Sequence, residues 1–176
     1  MASFFGHALT SIAIGNGFSN TQKNFKFWFL GVFCAFLPDA DVISFKLGIA
    51  YNSFWGHRGF THSFVFAILL GLIITFIFYR KNTSKIKYFL FFTLCAASHS
   101  LLDAMTDGGL GVAFFAPFDN SRYFFPWRPI QVSPIGIANF LGERGLRVIK
   151  SELLYIGLPS FVFILIVKIK NRFLKK

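Results

Sequence analysis

Apolar and polar positions alternate in blocks along the 176-residue chain, and the blocks have the length of helices rather than of strands. Residues 3–18 are mostly small and apolar until Gly15, Asn16 and Gly17 break the pattern, and a polar, basic turn follows at 19–26. Residues 27–37 are apolar and stop at Pro38. Neither stretch reaches the ~20 residues of a comfortable bilayer crossing, so together they predict a helical hairpin, tilted or partly inserted. Residues 63–79 form an uninterrupted apolar helix. A second helix covers 87–102, its apolar run lying at 86–97, and a last one covers 153–168 with a kink expected at Pro159. Between these blocks lie a polar stretch at 38–62, a basic loop at 80–87 and a long connection at 103–152 that carries Pro117, Pro126, Pro129 and Pro134. Two semi-apolar pieces of that connection, 110–118 and 130–141, suit an interfacial position. No internal repeat or low-complexity segment interrupts the order. The pattern predicts an all-α fold, a polytopic membrane helix bundle of four to five membrane-embedded helices, in a single domain over residues 1–176.

Composition points the same way. The chain is 55% hydrophobic with 27 Phe and only 14% charged residues, more apolar side chain than a small soluble core consumes. The net charge of +11 would suit nucleic acid, but its distribution argues against that partner. Arg80, Lys81, Lys85 and Lys87 sit between two apolar runs, and Lys168, Lys170, Arg172, Lys175 and Lys176 follow the last one. Short basic segments beside membrane helices mark the cytoplasmic side and meet anionic headgroups, and no nucleic-acid motif accompanies them. Cys34 and Cys95 lie within apolar runs and read as buried free thiols. The amino-terminal residues lack the basic start of a secretory signal, so retention is expected.

With loop 80–87 on the cytoplasmic side, the helices flanking it run outward, and His62 and His99 emerge together on the opposite face. If the amino-terminal hairpin also crosses, Lys23 and Lys26 join the cytoplasmic side, and His7 and Asp39 join the outer one. The last helix then returns the carboxyl terminus to the cytoplasm.

This placement matters because the chain has only four His and seven acidic residues. Eight of the eleven are His7, Asp39, Asp41, His57, His62, His99, Asp103 and Asp107, all in or beside the segments that end at this face. His99, Asp103 and Asp107 follow at steps of four, so His99 and Asp103 share a helical face, and Gly108-Gly109 ends the row. Alone, His99 and Asp103 read equally as an ion pair or as metal ligands. Asp39-Ala40-Asp41 after Pro38 reads as a helix-stop turn or as a source of one inward carboxylate, with Asp41 the first choice because the two alternate. Thr61 suits an N-cap that fixes His62. Arg58 suits a forked grip on phosphate; Arg122 and Arg128 suit interfacial anchoring. Imidazole with carboxylate and no sulfur suits zinc, manganese or iron. No H-E-x-x-H, His-Asp dipeptide or G-x-S-x-G occurs.

Pro38-Asp39-Ala40-Asp41, then His57-Arg58-Gly59-Phe60-Thr61-His62-Ser63, then His99-Ser100-Leu101-Leu102-Asp103, Thr106-Asp107-Gly108-Gly109 and Ala116-Pro117-Phe118 resemble the YdjM-type family of bacterial inner-membrane proteins, predicted metal-dependent hydrolases. The resemblance covers roughly residues 1–170. That family is distantly similar to the all-α zinc-dependent phospholipases C. The resemblance implies metal ligation by His7, Asp41, His62, His99 and Asp103. It implies a role for Asp39, His57 or Asp107 as base, orienting group or further ligand, and substrate binding by Arg58. The later H-x-x-x-E of those phospholipases has no counterpart, since no His follows His99; one or two ions, zinc first, are expected rather than three. The expected activity is hydrolysis of a phosphoester or lipid-linked substrate beside membrane lipid at the outer face of the inner membrane. The competing expectation is a non-enzymatic membrane protein whose His/Asp cluster is a structural metal site or polar clamp.

Overall fold

The computed structural model describes residues 1–18 and 21–174; Ser19, Asn20, Lys175 and Lys176 lie outside the described residues. Eight α-helices follow in order: α1 Phe4–Gly17, α2 Phe25–Phe36, α3 Ile43–Lys46, α4 Phe64–Tyr79, α5 Lys85–Ala104, α6 Ile137–Phe140, α7 Glu143–Glu152 and α8 Leu158–Phe173. No strand forms among the described residues; two isolated bridges, Thr106 with Ile130 and Val112 with Tyr123, pin the long connection. The all-α expectation holds.

Helix α5 is the axis of the bundle and packs against α4, α2 and α1. Its buried residues fall on two adjoining rows four apart, Phe91-Cys95-His99-Asp103 and Phe92-Ala96-Ser100-Ala104. One face thus runs from a greasy end to an ionisable end. The greasy end forms the main core with Phe27, Leu30 and Cys34 of α2 and Ala67, Leu70 and Ile74 of α4. Close approach is bought by small residues: a Cβ on Gly71 would lie 2.1 Å from Thr93 Oγ1, and one on Gly31 would lie 2.5 Å from the Phe91 ring. Cys34 and Cys95 are both free and buried.

The outward faces are apolar. Leu69, Leu72, Ile73, Phe76 and Ile77 of α4, and Phe161, Phe163, Leu165 and Ile166 of α8, are exposed. Such continuous apolar surface has no place in water and suits lipid. By length and apolarity two helices qualify as membrane spans, Phe25–Lys46 and Glu143–Phe173, fewer than the four to five expected. Phe64–Tyr79 is apolar but has 16 residues, and α5 carries Lys85, Lys87, His99 and Asp103 within its 20 residues. Both spans outrun their expected limits. The first continues past Pro38 because the chain tightens into a 3-10 helix, Leu37–Val42, before α3. The second starts at Glu143 rather than 153, since α7 joins α8 through a π-helical stretch at Leu153–Gly157, where the Leu158 N–H reaches the Leu153 carbonyl.

The order of the helices sorts the charges. The basic residues Lys23 and Lys26, Arg80 to Lys87, and Lys168 to Arg172 belong to the α1–α2 turn, the α4–α5 turn and the end of α8. The start of α1, the end of α2, the start of α4 and the end of α5 meet at the other end of the bundle, and there the histidines and aspartates gather. The connection 105–136 folds over that end: Phe64 N–H donates to the Phe114 carbonyl, Phe125 N–H to the Ala104 carbonyl, and Ile130 is fully buried.

Candidate metal centre

Pro38 sets the first part of the centre. In the 3-10 helix that follows α2, the Ala35 carbonyl would be served by the N–H of residue 38, and proline has none. His99 Nδ1 takes that carbonyl at 2.7 Å. A carbonyl only accepts, so Nδ1 carries the proton and Nε2 presents its lone pair inward. The 3-10 helix also changes the reading of the Asp39/Asp41 pair. With three residues per turn, positions two apart do not fall on opposite faces, and both aspartates are buried.

Asp41 is consumed by the loop that follows. Its Oδ1 lies 2.6 Å from His57 Nδ1; its Oδ2 accepts from Thr61 Oγ1 at 2.5 Å, from the Arg58 N–H at 3.1 Å, and faces His62 Nδ1 at 3.1 Å. The loop is tight enough that a Cβ on Gly56 or Gly59 would strike backbone oxygens at 2.3 and 2.2 Å. Arg58 holds a left-handed backbone, φ 62°, which costs a non-glycine residue about 1–3 kcal/mol. The carboxylate of Asp41 fixes the proton of His62 on Nδ1, leaving Nε2 free as an acceptor.

Asp39, His62, His99 and Asp103, all buried, then bring four ligand atoms within 4.8 Å of one another. His62 Nε2 lies 3.0 Å from His99 Nε2, 3.8 Å from Asp39 Oδ1 and 3.7 Å from Asp103 Oδ2; His99 Nε2 lies 3.4 Å from Asp39 Oδ1. Tetrahedral ligands with bonds of 2.0–2.1 Å sit about 3.3 Å apart. Neither oxygen of Asp39 has a hydrogen-bond partner, nor does Asp103 Oδ2. Two imidazole nitrogens and two carboxylate oxygens face one another, an arrangement that either a proton on His62 Nε2 or a metal ion can neutralise. Burial disfavours a charged His62, yet Asp103, Asp39 and Asp41 overcome it and raise its pKa to about 10. A proton and a metal therefore compete for the same Nε2. His57 goes the other way: burial lowers its pKa despite the pull of Asp41.

Asp103 is held from behind. Its Oδ1 accepts the Ala2 N–H at 2.7 Å, and its Oδ2 lies 3.0 Å from Arg58 Nε. Arg58 is fully buried, and its other nitrogens donate to the Gly108 carbonyl at 2.9 Å and Thr106 Oγ1 at 3.0 Å. Expected to grip substrate, this guanidinium is turned inward, each nitrogen against a protein acceptor. His7 stacks on His99 at 3.9 Å between ring centres, with Nε2 3.6 Å from Asp103 Oδ1 and neither nitrogen hydrogen-bonded; it lines the group of four without joining it. Asp107 lies past the end of α5, exposed, with Oδ1 accepting the Val132 N–H at 2.7 Å. A second group, Asp41, His57 and His62, stands beside the first and shares His62. His57 borders a cleft of about 640 Å³. The Asp39 oxygens, the Ala35 carbonyl and the Ala2 N–H were the contributors that sequence reasoning placed elsewhere or missed. Only Pro38, which strips Ala35 of its partner, signals one of them.

The fold and its buried cluster define an all-α protein with two helices apolar and long enough to span a membrane and a His/Asp group able to hold a metal ion. The chain belongs to the family described as YdjM inner membrane protein, which matches residues 1–173. It is 41% identical over 163 residues to "Inner membrane protein YbcI" of Escherichia coli (strain K12), covering 92% of this chain and 94% of that one. No solved structure matches it.

Replacing Arg58 by Gln leaves the Asp103 carboxylate buried beside Asp39 without its cation, and breaking a buried ion pair costs about 3–5 kcal/mol. Thermal unfolding of the detergent-purified, metal-free variant should show a lowered midpoint. Arg58→Lys should recover little of the loss, because one ammonium cannot reach three separate acceptors. An unchanged midpoint for Arg58→Gln would contradict this account of the centre.

Proposed function

We propose that this protein is a metal-dependent hydrolase embedded in the inner membrane, acting on a phosphoester at the bilayer surface. The observation that carries the reading is the convergence of His62 Nε2, His99 Nε2, Asp39 Oδ1 and Asp103 Oδ2 on one buried point. Two imidazoles and two carboxylates at tetrahedral spacing suit zinc. A divalent ion held there would acidify water and polarise a phosphoryl oxygen where a coordination position beyond the four side chains opens to them. The chain's own contributions are separate from that chemistry. Asp41 and the Ala35 carbonyl orient the two imidazoles. Arg58 fixes Asp103. His57, kept neutral by burial and bordering the cleft, is placed to take a proton, with Asp41 2.6 Å from its Nδ1.

Full burial of all four ligand residues favours a second reading, a structural ion that ties α2, α4 and α5 together. Metal analysis of purified protein separates a metal centre from a polar clamp. The parent should retain a divalent ion through gel filtration, and a His62→Ala, His99→Ala double variant should fall to background. Equal metal in both would sink either metal reading. Asp39→Asn should then lower turnover in a phosphoester screen by at least 10²-fold, the scale of losing a group that acts in the transition state. Metal in the parent with no turnover on any substrate, together with a lower melting point after chelation, would select the structural ion.

We also propose that the basic end of the bundle faces the cytoplasm and the metal end the outside, in line with the positive-inside rule. A carboxyl-terminal alkaline phosphatase fusion should be inactive and a green fluorescent protein fusion bright; the reverse pattern would overturn this orientation.

A further inference from the structure

The end of the bundle remote from the His/Asp centre has a pocket of its own. None of the seven acidic residues falls within residues 1–38 or 42–102. The α1–α2 and α4–α5 turns lie inside those stretches, so their basic residues have no carboxylate in either segment. Between the two turns lies a cavity of about 340 Å³ whose walls include Asn24, Lys26, Phe78, Tyr79, Lys81 and Asn82. The Gln22 N–H donates to the Tyr88 hydroxyl at 2.9 Å and ties the first turn to α5. Helix α4, 16 residues or roughly 24 Å long, separates this cavity from the His/Asp centre.

The polar groups around it are left as donors. Asn24 Oδ1 is spent on capping α2, accepting the Phe27 N–H at 3.0 Å, and Asn82 Oδ1 accepts the Ser84 N–H at 2.8 Å. Each side-chain amide therefore has its NH2 left to offer. Lys26 Nζ rests 4.4 Å from the centre of the Phe78 ring and 5.7 Å from that of Tyr79. Ring faces fix an ammonium in place without neutralising it. Among the described residues neither Lys26 nor Lys81 is in an ion pair. Tyr79 is only 8% exposed, and its hydroxyl is buried without a hydrogen-bond partner among the described residues. A hydroxyl left unpaired at that depth is costly, and an acceptor in the cavity relieves the cost. Two ammonium groups, two amide NH2 groups and one hydroxyl, with no carboxylate on the walls, suit a multivalent oxyanion.

We propose that this cavity is a phosphate-binding site, in which the Asn24 and Asn82 amides and the Tyr79 hydroxyl donate to the phosphate oxygens and Lys26 and Lys81 balance the charge. The site is separate from the metal centre, and its occupancy does not depend on the hydrolase reading. A free phosphate and a lipid headgroup both carry the required group, so the experiment titrates each. It uses the full chain in maltoside micelles at physiological salt, which screens diffuse charge, with inorganic phosphate and dioctanoyl phosphatidate added in turn and binding read by calorimetry. At least one of the two should bind saturably. A preference of tenfold or more for phosphatidate identifies the lipid as the source, the opposite preference identifies the free anion, and closer affinities show that the phosphate group alone is read. Asn24→Asp and Asn82→Asp keep the capping acceptors, and with them the fold, but put a carboxylate oxygen in place of the donor. Each should weaken binding at least tenfold, the scale of one charge-assisted hydrogen bond. Tyr79→Phe, which removes the hydroxyl alone, should weaken it about tenfold. Lys81→Gln should weaken it too, whereas Lys85→Gln, at the same turn but outside the cavity, should not. Three results would each overturn the proposal: no saturable binding of either ligand; binding that survives Asn82→Asp, which would place the phosphate elsewhere, the metal centre included; or equal losses in Lys81→Gln and Lys85→Gln, which would reduce the effect to diffuse charge.

Discussion

Two buried carboxylates, Asp39 and Asp103, face the Nε2 atoms of two imidazoles whose Nδ1 atoms are held by other groups. Much of the polar end of the bundle is organised around that confrontation. An isolated carboxylate at this depth is untenable in a low-dielectric surrounding. The chain answers from several directions: Arg58 against Asp103, the Ala2 N–H on its other oxygen, and the converging Nε2 atoms that a cation would join. The left-handed backbone of Arg58 and the crowded glycines at 56 and 59 are the local strain that brings the guanidinium there.

The division of labour between the two aspartates follows from the same constraint. Asp41 has four donors around it and is spent on shape, holding His57, Thr61 and His62 in one loop. Asp39 has none and is left with its charge exposed to the centre. Identical side chains two positions apart thus carry opposite electrostatic duties, set by which of them the loop can reach.

Much of this was legible in the sequence. The four-residue step from His99 to Asp103 on a helix that is otherwise apolar, and the meeting of four helix ends at one end of the bundle, both follow from periodicity and the placement of basic loops. His62 and His99 join the group as that reasoning requires. What stayed hidden depends on backbone and on contacts far apart in the chain. Strict alternation gave Asp41 the inward place, but a proline-started 3-10 helix turns Asp39 inward as well. Arg58 looks like a surface hook for phosphate until Gly108, Thr106 and Asp103, some fifty residues on, are seen to enclose it. The spans were misjudged in both length and number, because α5 gives up apolarity to carry His99 and Asp103, and because a π-helical stretch lets α7 and α8 run on as one rod.

The central claim is that these four side chains bind one divalent ion. X-ray absorption spectroscopy of the purified, zinc-loaded protein tests it most directly. The account predicts a four-coordinate nitrogen/oxygen shell at about 2.0–2.1 Å with the outer-shell scattering of two imidazoles and no sulfur. That imidazole scattering should vanish in the His62→Ala, His99→Ala variant. A six-coordinate, all-oxygen shell, or imidazole scattering that survives in the double variant, would contradict it.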